Sequence, residues 1–166
     1  MVPQTLRYRS VSGTIGHLTT RWMGRPARVV AEAVTEACKS PGVIGTFNCL
    51  VIDCPEPRTL ARFYEALLGL SRVEDGDEWV TLGTSEQPPR IAFQQVAGFA
   101  APDWPRSAIP QQMHMDVLVL NLDVAQVAVL SLGAKLLEGS DKPIGYRVYA
   151  DPAGHPFCLV TPEGLG

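Results

Sequence analysis

Tyr146-Arg147-Val148-Tyr149-Ala150-Asp151-Pro152-Ala153-Gly154-His155-Pro156-Phe157-Cys158-Leu159-Val160 reads as two strands joined by a tight turn. Asp151 suits the first position of a type I turn, Pro152 presets φ at the second, and Gly154 takes the fourth. β-branched and aromatic residues on both sides predict strands over 146–150 and 155–161. The hairpin closes a unit of which the chain carries two copies.

Upstream of the hairpin, 112–121 predicts a strand. A helix follows over 122–132, with Val124, Val127, Ala128 and Leu130 among its apolar positions. Gly133 ends that helix, and 134–138 is a further strand. The earlier copy begins with a strand over 45–53. Pro55-Glu56-Pro57 then launches a helix whose Leu60, Phe63, Tyr64, Leu67 and Leu68 form one apolar face, with Gly69 as its stop. Strands over 71–74 and 79–82, joined through Asp75-Gly76-Asp77, precede a loop carrying Pro88-Pro89 and a last strand over 90–96.

The copies superpose in register. Asp53 matches Asn121, Gly69 matches Gly133, and Phe93 and Val96 match Phe157 and Val160 at the same offset from those glycines. The expected fold is therefore α+β, two tandem βαβββ modules spanning 43–97 and 111–162. Between them, Gly98, Pro102, Pro105 and Pro110 forbid regular structure in a linker, where Phe99 and Trp104 either cover a cleft or anchor the crossover.

Composition bounds the function. With 166 residues, 46% hydrophobic and 19% charged, the chain has the makeup of one folded domain or two small modules sharing a core. A net charge of -3 argues against a nucleic-acid binder, and no apolar run approaches the ~20 residues of a membrane-crossing helix. Residues 1–42 read as an N-terminal extension, partly disordered, with a short helix over Pro26–Ala37. Its first 40 residues hold Arg7, Arg9, Arg21, Arg25, Arg28 and Lys39 against only Glu32 and Glu36. Such a leader resembles a transit peptide or an over-extended start, and an untidy extension is the expectation taken. Cys38, Cys49, Cys54 and Cys158 lack CxxC spacing, which points away from a zinc knuckle or a disulfide framework and toward a reducing, cytoplasmic setting.

Two tandem modules with these junctions resemble the vicinal oxygen chelate superfamily, which includes glyoxalases, bleomycin-resistance proteins and extradiol dioxygenases. The resemblance rests on Val51-Ile52-Asp53-Cys54-Pro55 and Phe63-Tyr64-x-x-Leu67-Leu68-Gly69-Leu70. The second module adds His114-Met115-Asp116-Val117-Leu118-Val119 and Asp151-Pro152-Ala153-Gly154-His155. It implies paired curled sheets that enclose a cavity, side by side in one chain or across a homodimer. It also implies four inward ligands for a divalent metal (Zn, Fe, Mn or Ni), which binds substrates with adjacent oxygens.

Carried across by position, those four ligands become Thr46, Gln94, His114 and Cys158. His114 is a good ligand, Gln94 an acceptable one and Thr46 a poor one, while Cys158 stands where a glutamate is usual. No carboxylate is present in the set. The expectation is therefore a metal-poor protein that binds a small organic molecule in its cavity through His114, Gln94, Tyr149 and Asp116. The alternative is a metal-dependent lyase, isomerase or dioxygenase on a vicinal-oxygen substrate, with His114, Gln94 and Cys158 as ligands. A scaffold lacking both activities is a third possibility.

Asp116, two residues from His114, shares its strand face and either orients the imidazole or caps a local group. Tyr149 and Arg147 share a face and are expected to offer a hydroxyl and a guanidinium to an anionic ligand. His155, just past the turn, is expected at the surface.

Overall fold

Prolines set where the first sheet starts. β1 (Cys49–Cys54) begins opposite Arg90, the first residue of β4 (Arg90–Gln95). The residue before Arg90 is Pro89, which has no N–H to give the ladder. The expected strand over 45–53 is shortened to that point. The computed structural model describes residues 44, 45, 47–84, 89–106, 108–139, 141 and 143–165, with 47–166 forming one compact unit. The helix expected over Pro26–Ala37, and Thr46, lie outside the described residues.

α1 (Pro57–Leu68) starts on Pro57 and stops at Gly69, whose φ of 65° lets its N–H reach the Glu65 carbonyl at 3.0 Å. Its apolar face is buried through Leu60, Phe63 and Tyr64, as expected. β2 (Ser71–Asp75) and β3 (Trp79–Gly83) then complete a sheet of order β1-β4-β3-β2, in which β1 and β4 are parallel and the other pairs antiparallel.

The second module repeats this order. β5 (Met115–Leu118), α2 (Leu122–Ser131), β6 (Lys135–Glu138), β7 (Tyr146–Ala150) and β8 (Pro156–Val160) give a sheet β5-β8-β7-β6, again with its first pair parallel. Asn121 caps α2 by accepting from the Val124 N–H at 3.0 Å. Even the irregularities recur: a register shift separates Arg72 from Glu74, and another separates Leu136 from Glu138, each starting three residues past the helix-ending glycine. β5 is shorter than the expected 112–121. Met115 pairs with Phe157, and the next partner back would be Pro156, which cannot donate. His114 therefore sits just before the strand.

One core serves both modules. Tyr64 stacks on Phe93 at 5.2 Å, Phe63 meets Phe157 edge-on at 5.6 Å, and Phe157 stacks on Tyr149 at 5.5 Å. Leu60, Val80, Leu82, Leu122 and Leu159 fill the same cluster. Helix α1 of the first module thus packs on β8 of the second, and each fully buried Leu or Phe contributes about 1.5–3 kcal/mol of transfer free energy. The turn that opens the last hairpin is tied into this core. Asp151 Oδ1 accepts the backbone N–H groups of Ala153, Gly154 and His155, and Oδ2 accepts the Tyr64 hydroxyl at 3.0 Å.

Candidate functional site

Side chains alternate along β8. Phe157 and Leu159 go to the core, while Cys158 and Val160 turn to the opposite face, beside Val148 of β7 and Asp116 of β5. Trp104, from the linker, packs on Val148, Cys158 and Val160, so one linker aromatic does cover a sheet face. A depression of about 330 Å³ opens there, with Trp104, Gln111, His114, Asp116, Tyr146 and Cys158 in its lining.

Three potential ligand groups converge in it. The donor atoms of His114, Asp116 and Cys158 all lie within 4.8 Å of one another, with His114 Nε2 3.6 Å from Asp116 Oδ1. The His114 and Asp116 side chains are 45% and 53% exposed, whereas Cys158 is only 8% exposed. Burial pushes the Cys158 thiol up to about 11, helped by the charge of Asp116 and a hydrogen bond to it. That thiol is neutral near pH 7, and a cation bound there would displace its proton. Imidazole nitrogen, carboxylate oxygen and thiolate sulfur suit a divalent ion of borderline softness such as zinc, and three protein ligands leave a coordination position open.

The cluster changes the expected ligand set. Gln94 is on β4 of the other sheet, paired with Asp53 and Trp79, and it lines neither this depression nor the cleft described below. Asp116 is the group that lies beside His114 and Cys158, so this cluster includes a carboxylate. The sequence showed both residues but not their meeting: the parallel pairing of β5 with β8 sets Asp116 directly opposite Cys158.

Tyr149, expected to face a ligand, lies on the core face and is fully buried. Its hydroxyl donates to Gln126 Oε1 at 2.9 Å. Arg147 shares that face, donating to the same oxygen at 3.1 Å and to Asp123 at 2.7 Å. The pair pins α2 to its sheet. The correction has a simple cause: strand alternation divides β7 into two faces, and it was the Tyr146 and Val148 face that stayed open.

A second space opens at the junction of the modules. A cleft of about 350 Å³ runs between β1 and the segment leading into β5, under the linker. Val51, Ile52, Phe99, Ile109, Met113 and Met115 give it apolar walls, and Asp53, His114 and His155 add polar groups. His155 is not simply exposed. Its side chain is 21% accessible, its Nδ1 lies 3.2 Å from Asp151 Oδ2, and its ring packs on Phe99 at 5.2 Å.

The comparisons with known proteins agree with this architecture. The family model described as "Glyoxalase-like domain" matches residues 49–160. No curated protein matches the chain in sequence. Among solved structures, a glyoxalase-related enzyme from Fulvimarina pelagi is 16% identical, with a TM-score of 0.52 over 71% of this chain and 88% of that one. A glyoxalase/bleomycin resistance protein/dioxygenase family enzyme from Burkholderia phytofirmans PsJN is 15% identical, with a TM-score of 0.52 over 69% of this chain and 96% of that one. The fosfomycin resistance protein FosX from Mesorhizobium loti is 13% identical, with a TM-score of 0.53 over 71% of this chain and 92% of that one. At these identities the structures establish the shared fold. Among the described residues no helix is long and apolar enough to cross a membrane. The match over residues 49–160, carried by two βαβββ modules in register, shows that this chain belongs to the glyoxalase-like domain family of the vicinal oxygen chelate superfamily.

Proposed function

We propose that the protein binds a small, largely apolar organic molecule in the cleft between its modules. The observation that carries this is the cleft's make-up: about 350 Å³, walled by side chains of both modules and of the linker. Small-molecule sites commonly fall at about 300–1,000 Å³ and combine apolar walls with a few placed polar groups. Met113 and Met115 add adaptable surface. The test is a thermal-shift screen of small aromatic and aliphatic compounds, because a binder raises the melting temperature with its concentration. Val51→Trp, which fills the cleft, should abolish the shift. A shift that survives this substitution would place binding elsewhere.

A second reading is favoured by the convergence of His114, Asp116 and Cys158. These residues would hold a divalent ion, which would polarise a pair of adjacent substrate oxygens, as in a metal-dependent lyase, isomerase or dioxygenase. His114 and Asp116 would fix the ion from the exposed side, and Cys158 from the buried one. Metal content of untagged protein, repeated for His114→Ala, decides it. Near-stoichiometric metal lost in the variant supports this reading, and no uptake of any offered ion removes it.

A further inference from the structure

Asp151 is buried and its side chain has no solvent exposure. Three backbone N–H groups occupy Oδ1, and the Tyr64 hydroxyl and His155 Nδ1 share Oδ2. The carboxylate can only accept from its histidine, so in the neutral imidazole the proton sits on Nδ1. Nε2 then carries a lone pair and has no hydrogen-bond partner among the described residues. His155 also lines the inter-module cleft, where Phe99 holds its ring from a second side. The result, for the neutral ring, is an oriented hydrogen-bond acceptor in a largely apolar cleft that also holds Asp53 and His114.

We infer that His155, oriented by Asp151 and Tyr64, selects cleft ligands that present a neutral hydroxyl donor, small phenols above all. This rests on the proposal that the cleft binds small molecules, and specifies which. Charge argues for a neutral donor over a carboxylate, because Asp53 lines the same cleft and Asp151 stands behind the imidazole. Apolar walls take the ring or chain of the ligand, and the single Nε2 contact sets its direction. Asp151 and Tyr64 are positioning residues, since the Tyr64 hydroxyl proton is committed to Asp151 and the Asp151 side chain has no exposure.

The experiment compares para-ethylphenol with its methyl ether, which lacks the O–H donor and carries one added methyl group. Binding is measured by calorimetry to wild-type protein, His155→Ala and Lys135→Ala, the last an exposed position outside the cleft. The phenol should bind wild type roughly 3- to 10-fold more tightly than the ether, the worth of one net hydrogen bond. That preference should vanish in His155→Ala and persist in Lys135→Ala. Long-range proton–nitrogen spectra of wild type give a check independent of variant folding: His155 should show the Nδ1–H tautomer, with Nε2 shifting on addition of the phenol and not of the ether. Equal binding of the pair, or a preference that survives in His155→Ala, overturns the role of His155 and leaves cleft binding intact. Failure of both compounds to bind wild type at millimolar concentration overturns both proposals.

Discussion

Asp116 and Cys158 are direct partners across the parallel pairing of β5 and β8, which sets a carboxylate beside a buried thiol with His114 at the strand's mouth. A buried thiol next to a negative charge holds its proton, so cation capture here must release one. Cobalt(II) added to reduced protein is expected to produce thiolate-to-metal absorption and proton release. Cys158→Ser should remove the absorption. Asp116→Asn should weaken binding by at least the roughly 10- to 100-fold typical of outer-shell changes. Unchanged cobalt spectra in Cys158→Ser would place the ion elsewhere.

Tyr64 joins the first module's helix to the second module's turn through its bond to Asp151. Tyr64→Phe keeps the ring stacking on Phe93 and deletes only that bond. The expected loss is about 1–2 kcal/mol, read as a fall in melting temperature or denaturant midpoint. A neutral result would mean that water or His155 satisfies the carboxylate equally well.

Gly154 has a φ of 99°, and a Cβ added there would come within 2.6 Å of the Ala101 Cβ in the linker. Both conformation and contact resist a side chain. Gly154→Ala should cost about 1–3 kcal/mol by the backbone strain alone. Equilibrium unfolding measures it, and a change below about 0.5 kcal/mol, the range of ordinary surface substitutions, would contradict the close approach of linker and turn.

Cys54 is fully buried, and desolvation raises its thiol from 9.0 to about 11. The folded state therefore holds this proton more tightly than the unfolded chain does. Its contribution to stability is whole below pH 9 and is lost as pH rises from about 9 to 11. Denaturation curves across that range should fall less steeply for Cys54→Ala than for wild type. At pH 8, Cys54 should resist thiol reagents while the partly exposed Cys49 reacts.

Much of the fold was legible because local and global signals agree. Gly69 and Gly133 stop helices in equivalent places, the Asp151 turn forms as its residues demand, and β7 occupies the expected 146–150. The ends of β1 and β5 were less legible. Nothing in their own residues marks the points where the partner strand offers Pro89 or Pro156 in place of a donor. In the site, His114, Asp116 and Cys158 were each visible as candidates, but Gln94 was grouped with them and Tyr149 was given the wrong face.

From sequence alone came the two modules, their order of elements and the family they belong to. Periodicity, turn chemistry and repeat register are properties of neighbouring residues, so they survive without a structure. Only the tertiary structure decided which side chains meet. Strand pairing placed Asp116 opposite Cys158, and α1 packing on β8 brought Tyr64 to Asp151, 87 residues away along the chain. The same packing turned His155 from an expected surface residue into one held between Asp151 and Phe99. Contacts between distant segments depend on which face of each strand the core claims, and that choice is made by the whole fold at once.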